Sequence, residues 1–230
     1  MIKYLFLFIL FNLSCISRNP ANYDFSHIQK FKNFVFLQSE YNYGDYTLSE
    51  ANASGVIYRV NDGLIYILTA AHFCSPGSYE IQNINESQTG HRQIWVFNEN
   101  TKRLGMVFKI DTQNDLCMIV SIKKKSDIFE NLKFAKKMPR IGEKIYNSAA
   151  PDGIASPDIK LLLDGYYSGS NFGPNKYSLY TIPATFGSSG SAVYNKKGEI
   201  ISIIVAADPN FENISMGPNI YNIRKFVGEL

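Results

Sequence analysis

Three short motifs in this 230-residue chain carry side chains that can act together in nucleophilic catalysis. They place His72, Asp115 and Ser189 in that order along the sequence. A serine hydroxyl is a weak nucleophile and needs a base within hydrogen-bond reach, which an imidazole can provide near neutral pH. A buried carboxylate can hold that imidazole in one tautomer and stabilise its protonated form. We therefore expect Ser189 to be the nucleophile, His72 the base and Asp115 the residue that orients the base.

The motif around the predicted nucleophile, Gly-Ser-Ser-Gly-Ser at 187–191, also supplies backbone donors. Gly187 can adopt unusual dihedral angles, so its N–H and that of Ser189 are predicted to form an oxyanion hole. Each motif alone is also typical of an ordinary turn or strand end. Their occurrence together, each beside an apolar β-like run, favours catalysis.

These motifs resemble those of the trypsin-like, chymotrypsin-fold serine peptidases, over about residues 54–230. Within that group the chain is most similar to bacterial glutamyl endopeptidases and to the protease domain of high-temperature-requirement enzymes. Segments 180–201 and 222–227 carry the likeness to the glutamyl group. The resemblance implies an all-β fold of two packed antiparallel six-stranded β-barrels, a short C-terminal helix and an active site between the barrels.

Three positions differ from the family pattern. Ser188 stands where trypsins have the aspartate that pairs with a newly cut N-terminus, so trypsin's activation switch is not expected. Val205 stands where chymotrypsin-type enzymes have a serine that supports the triad aspartate. Ile204 replaces the histidine with which glutamyl endopeptidases bind a substrate carboxylate, so glutamate specificity is not expected either.

The resemblance also places the walls of a substrate pocket beside the nucleophile. The predicted substrate-binding residues are Ala184, Thr185, Ile204, Val205 and Ala206. None of them is charged, and a buried substrate charge without a partner costs several kcal/mol. We therefore expect an apolar or small side chain at the P1 position of the substrate, a preference that nearby Asp208 tempers.

Length and composition fit one protease domain over residues 33–230, because β-barrel proteins of this size are commonly single domains. The chain is 45% hydrophobic and contains 15 Tyr and 16 Phe, which favour strands. Barrel one is predicted at about 33–121, a linker at 122–141 and barrel two at about 142–221.

Local patterns refine this organisation. Residues 54–70 and 191–205 each predict a hairpin, the first leading into His72 and the second following Ser189. The polar stretches 75–91 and 166–176 are predicted loops. A short helix is predicted from Asn222 to Leu230.

The N-terminus predicts export. Residues 1–14 fit a signal peptide, with Lys3 followed by an apolar run too short for a membrane span of ~20 residues. Residues 15–32 would form an N-terminal extension. Residues 12–15 resemble a lipoprotein signal, so Cys15 is a candidate lipidation site, with simple cleavage as the alternative. The mature protein is expected in the periplasm, at the cell surface or in the medium, with membrane contact only through such a lipid.

Cys74 and Cys117 follow His72 and Asp115 by two residues each. They can be small buried residues, or a disulfide in an oxidising compartment. No Cys/His cluster has zinc spacing, so neither a metal nor another cofactor is expected.

The net charge of +3 is small, and the lysine-rich stretch 123–140 is predicted to be a solvated connection. It lacks the interleaved aromatic residues that stack on bases, so nucleic acid is not an expected partner. Together, these observations predict an exported serine endopeptidase that cleaves protein or peptide substrates through an acyl-enzyme. A catalytically silent binding protein with the same fold, and a protease active only on its own precursor, are the alternatives. The sequence does not indicate an oligomeric state.

Overall fold

The computed structural model describes residues 31–43, 46–75, 91–99, 101–152, 154, 156, 159–173 and 175–229. These residues form mainly strands. In chain order the strands are β1 Phe34–Tyr43, β2 Tyr46–Asn61, β3 Leu64–Ala70, β4 His91–Asn98, β5 Thr101–Asp111, β6 Leu116–Ile122, β7 Lys144–Ala149, β8 Leu161–Phe172, β9 Tyr177–Tyr180, β10 Ala192–Asn195, β11 Ile200–Ile203, β12 Ala206–Ala207 and β13 Ser215–Gly217. The helices are α1, Ala71–Cys74, which follows β3, and α2, Ile220–Val227, near the C-terminus.

The first six strands form a closed antiparallel barrel in the order β1-β2-β3-β6-β5-β4. Strands β2 and β3 form the hairpin predicted from the sequence, around a two-residue turn at Asp62 and Gly63. Both turn residues have positive φ, which matches the twist of the flanking strands. Inward-facing Ile65 and Ile67 on β3 are fully buried in this barrel's core. The hairpin thus brings the end of β3, and His72 after it, to the rim of the barrel.

The second unit is a seven-stranded sheet in the order β11-β10-β7-β8-β9-β13-β12. Its two outermost strands, β11 and β12, are separated in sequence only by Ile204 and Val205. The sheet therefore curls back on itself, and the run 200–207 contributes to both of its ends. Counted as one interrupted strand, this run makes the second unit six-stranded, so the predicted all-β fold with two barrels and a C-terminal helix is confirmed.

The two units share one apolar core. Val56 and Leu68 from the first barrel lie in the same buried cluster as Ile182 and Ile203 from the second. The connection between the barrels also packs against the second sheet, because Ile200 N–H donates to Lys133 O at 2.8 Å and Ala135 N–H donates to Ile200 O at 2.9 Å. This packing fixes the barrels against each other across the cleft that separates them.

Two local predictions need correction. The loop predicted at 166–176 is wrong for most of its length, because β8 continues to Phe172 and only the turn after it is irregular. Tyr167 is buried there while Ser168 and Ser170 face solvent, so the polar residues are the outer face of a strand. Helix α2 begins at Ile220, two residues before the predicted start, because the Asn219 side chain caps it by accepting the Asn222 N–H.

The predicted signal peptide, Cys15 and most of the N-terminal extension lie outside the described residues, as do residues 76–90 of the other predicted loop. Among the helices that are described, none has the length and apolar character needed to cross a membrane.

Candidate active site

His72 lies on the single turn of helix α1 and is held against Asp115 by three hydrogen bonds. Its Nδ1 lies 2.7 Å from Asp115 Oδ2, and its backbone N–H donates to Asp115 Oδ1 at 2.8 Å. The N–H of Ala71 donates to the backbone carbonyl of Asp115 at 3.1 Å. A carboxylate accepts only, so it favours the tautomer with the proton on Nδ1 and leaves Nε2 unprotonated.

Asp115 is presented by a tight turn that the sequence analysis missed. The carboxylate of Asp111 accepts the N–H groups of Gln113 and Asn114, both at 3.1 Å, and the Asn114 side-chain amide at 2.7 Å. Asp115 itself has a φ of 53°, a left-handed conformation that aspartate tolerates better than most residues. The Asn114 side chain also accepts from Asn222 of α2 at 2.6 Å. Turn-forming residues directly after a strand were the available signal.

The His72–Asp115 pair is partly shielded from solvent. The side chain of His72 is 49% exposed, whereas that of Asp115 is 20% exposed. His72 lines the cleft between the barrels, and Asp115 lies behind it. Burial raises the pKa of the nearby Tyr177 phenol, and the charges of Asp115 and Asp111 raise it further, so this phenol stays neutral.

The loop that bears Ser189 requires glycine on both sides. Gly187 has a φ of 80°, and a β-carbon there would lie 2.5 Å from the carbonyl oxygen of Ala150. Gly190 has a φ of 89°, and its β-carbon would lie 2.0 Å from the carbonyl oxygen of Ser54. These close approaches explain why both positions are glycine.

Three serines follow Gly187, and of these Ser189 is the one that is not buried. The hydroxyl of Ser191 is fully buried and accepts from the Asn147 side chain at 2.9 Å. Ser188 is also buried, and its hydroxyl accepts the N–H of Thr185 at 3.2 Å. Ser189 is half-buried and lines the cleft together with His72.

Hydrogen bonds to two carbonyl groups fix the orientation of the peptide planes in this loop. Asp152 N–H donates to Phe186 O at 2.8 Å, and Ser191 N–H donates to Ser188 O at 3.1 Å. In a trans peptide the N–H points opposite to the C=O, so these bonds fix the directions of the next N–H groups, those of Gly187 and Ser189. Within the part of the chain that the structure describes, neither N–H donates to a protein acceptor. Both are therefore free to bind an oxyanion.

Ser54, which the sequence analysis did not single out, joins the first barrel to this loop. Its buried hydroxyl donates to Gly187 O at 2.8 Å and accepts Ala150 N–H at 2.9 Å. Its backbone N–H donates to Ser189 O at 2.8 Å, and its carbonyl accepts from Thr69 Oγ1 at 2.8 Å. One residue of β2 therefore holds the loop at two of its carbonyls, those of Gly187 and Ser189.

A cleft of about 840 Å³ lies beside His72 and Ser189. It is lined by all five residues predicted to bind substrate, Ala184, Thr185, Ile204, Val205 and Ala206. The structure thus brings two of the three predicted catalytic residues into one cleft with the predicted pocket walls. Three carboxylates, those of Asp152, Asp208 and Glu212, also line the cleft, and the sequence analysis had noted only Asp208.

Cys74 and Cys117 form a disulfide, which decides between the two alternatives left open by the sequence. Both are buried in the core of the first barrel. Among the described residues, no group of three or more His, Cys, Asp or Glu side chains could hold a metal ion.

Comparison with known proteins agrees with this architecture. Residues 53–203 match the family model of the trypsin-like peptidase domain. A protein named serine protease HtrA-like from Staphylococcus aureus strain MRSA252 is 29% identical over 193 residues, and its counterpart from strain USA300 is 28% identical. Each alignment covers 77% of this chain and 23% of the relative, so the chain spans about a quarter of their length.

The fold is also similar to that of a serine endoprotease from Yersinia pestis, with a TM-score of 0.62 and 20% sequence identity. That superposition covers 89% of this chain and 66% of the other. Because the family model spans more than half of the sequence, this chain belongs to the trypsin-like peptidase domain family and is, by family, a trypsin-like serine peptidase.

Proposed function

We propose that this chain hydrolyses peptide bonds through a His72–Asp115–Ser189 triad and a covalent acyl-enzyme. The observation that carries the proposal is the 2.7 Å contact of His72 Nδ1 with Asp115 Oδ2, made by an imidazole that shares a cleft with Ser189. The contact orders the imidazole as a base, and the partly buried Ser189 lines the same cleft with a hydroxyl for it to activate.

In the first half of the reaction, Ser189 Oγ attacks the scissile carbonyl carbon while His72 Nε2 takes the hydroxyl proton. The carbonyl oxygen becomes an oxyanion, which the N–H groups of Gly187 and Ser189 bind. The C–N bond then breaks, and His72 gives its proton to the leaving amine. Water attacks the acyl-enzyme in the same way, with His72 again as base, and releases the acid and free Ser189.

The cleft also suggests how a substrate binds. Strand β12 is the last strand of its sheet, pairs with β13 along one edge and lines the cleft. A strand edge can accept an extended peptide through main-chain hydrogen bonds, with side-chain pockets providing specificity. Ala184, Ile204 and Ala206 then present an apolar wall to the P1 side chain, which favours small or apolar residues.

The nucleophile assignment is tested with Ser189→Ala and, as its matched control, Ser191→Ala. We expect Ser189→Ala to abolish hydrolysis of a peptide substrate while the circular dichroism spectrum stays unchanged. Ser191→Ala should keep most of the activity, although it loses the bond to Asn147 and some stability. Equal loss of activity in both folded variants would contradict the assignment.

A binding protein that keeps the protease fold without catalysis is the alternative from another class, and a protease active only on its own precursor is a third. The unengaged N–H groups and the ordered His72 favour turnover. Multiple-turnover hydrolysis of an added peptide separates the enzyme from both alternatives.

We further propose that the protein is exported, on the strength of the signal-like residues 1–14 and the lipoprotein-like residues 12–15. Mass spectrometry of the mature N-terminus tests this. Cleavage before a diacylglyceryl-modified Cys15 indicates a lipid anchor, cleavage elsewhere without lipid indicates simple secretion, and an intact Met1 contradicts export.

A further inference from the structure

His72, the proposed catalytic base, lies on a helical turn that is not stable by itself. Helix α1 contains only the four residues Ala71–Cys74, and one turn of helix is unstable in isolation because its nucleation costs more than its hydrogen bonds return. Strand pairing with β6 stops at Ala70, directly before this turn. The position of His72 therefore depends on contacts made by the turn itself.

The N-terminal end of the turn is held by Asp115, through the bonds to Ala71 and His72 described above. Its C-terminal end is held by Arg92 of β4. The Arg92 guanidinium donates to the carbonyls of Phe73 and Cys74, two of the acceptors that a helix end leaves unpaired. It also lies over the ring of Phe73, 5.6 Å from the ring centroid.

Among the described residues around α1, the Cys74–Cys117 disulfide is the only covalent cross-link. Cys74 ends the turn that bears His72, and Cys117 lies on β6 two residues after Asp115. Both cysteines are buried in the first barrel's core. The bond thus joins the turn of the base, which follows the end of strand pairing at Ala70, to Cys117 on β6, two residues after the carboxylate that orients the base.

We propose that the Cys74–Cys117 disulfide is a positioning element of the active site, and that it fixes the His72 imidazole against Asp115. Only the expected effect of the disulfide on the turnover rate depends on the proposed function. Cys74 and Cys117 contact no substrate and act through His72. Without the bond, the turn is held only by noncovalent contacts such as its hydrogen bonds with Arg92 and Asp115, so it gains freedom to shift relative to β6 and to strain those bonds. A displacement of about 1 Å at a catalytic group can lower the rate by about 10²-fold.

The test compares the full-length protein with its Cys74→Ala/Cys117→Ala double variant at a temperature where both are folded by circular dichroism. We expect kcat to fall by about 10- to 100-fold while KM stays unchanged, because the substrate-binding walls are not disturbed. The matched control is Val35→Ala, which opens a cavity in the same core on β1, a strand that pairs with β2 and β4. It should lower the melting temperature and leave kcat unchanged.

A second readout does not depend on turnover. The proton between His72 Nδ1 and Asp115 Oδ2 should give a downfield NMR resonance in the parent protein, and this resonance should weaken or vanish in the double variant but persist in Val35→Ala. If the parent shows the resonance yet hydrolyses nothing, the proposed function fails while loss of the resonance still supports the positioning role. An unchanged kcat and resonance in the double variant would overturn the proposal. So would alkylation of both cysteines in the native protein without a reductant.

Discussion

Replacing Ser54 with alanine should impair catalysis although Ser54 touches no reacting atom. Its hydroxyl pairs with two buried backbone groups, the carbonyl of Gly187 and the N–H of Ala150. A buried polar group left without a partner costs about 1–3 kcal/mol, so the two groups together give the variant a penalty of about 2–6 kcal/mol. The loop can relieve this penalty by turning the Gly187 carbonyl elsewhere.

Such a movement rotates the peptide between Gly187 and Ser188, which lies between the two peptides that carry the oxyanion donors, and so displaces those donors. Loss of one oxyanion donor lowers kcat by about 10²- to 10³-fold, which sets the upper limit. We expect a partial displacement in Ser54→Ala, with kcat lowered by about 10- to 100-fold and KM little changed, since the pocket walls of the second barrel remain. Steady-state hydrolysis of a chromogenic peptide at saturating concentration measures this.

The matched control is Ser121→Ala, in the same barrel. Ser121 is also buried and donates one hydrogen bond to a backbone carbonyl, that of Leu104, at 2.6 Å. The Ser121→Ala variant should have a lower free energy of unfolding than the parent protein and an unchanged kcat. If Ser54→Ala lowers only the free energy of unfolding, as the control does, then Ser54 does not order the loop and the reasoning fails.

Three further predictions address the triad, the pH dependence of stability and the P1 pocket. Asp115→Asn should lower kcat by about 10⁴-fold, the effect typical of a chymotrypsin-type triad, and a loss below tenfold would remove Asp115 from the mechanism. Burial favours the neutral form of Asp127, but the hydrogen bonds from Arg103 outweigh this and lower the pKa of its carboxyl. The ionised carboxylate therefore stabilises the fold at pH values above its unfolded pKa of about 4, and this stabilisation decreases as the pH falls below that value. Urea unfolding of Asp127→Asn should therefore show a loss of about 3–5 kcal/mol at pH 7 that shrinks towards pH 3, whereas a pH-independent loss would refute the linkage. Ala184→Asp should shift P1 preference in a peptide library from apolar residues towards Lys and Arg, and an unchanged preference would show that Ala184 does not face the P1 side chain.

The candidate catalytic motifs could be singled out from the sequence because each depends on a few adjacent residues. A histidine close to the end of an apolar strand, and two serines between two glycines, are local patterns, and the structure places His72 and Ser189 in one cleft. The hairpin that leads to His72 was predictable for the same reason, since its two-residue turn is encoded by Asp62 and Gly63.

Features that depend on contacts between residues far apart in the sequence could not be predicted. Ser54 and Gly187 are 133 residues apart, and nothing near Ser54 in the sequence indicates that its hydroxyl supports the oxyanion loop. The disulfide could not be decided because it requires knowing that α1 and β6 lie side by side. The part of β8 from Tyr166 onwards was predicted to be a loop because its outward face is polar. The burial of Tyr167 between exposed neighbours shows that it is a strand.

The most direct test of the central claim is labelling of the full-length, folded protein with a fluorophosphonate probe, followed by mass spectrometry of the modified peptide. Reaction forms a bond between the serine oxygen and phosphorus and releases fluoride, and it requires both an activated hydroxyl and an oxyanion site. The account predicts one adduct, on Ser189, that is absent from Ser189→Ala and strongly slowed in His72→Ala. No adduct, or an adduct on Ser188 or Ser191 instead, would contradict it.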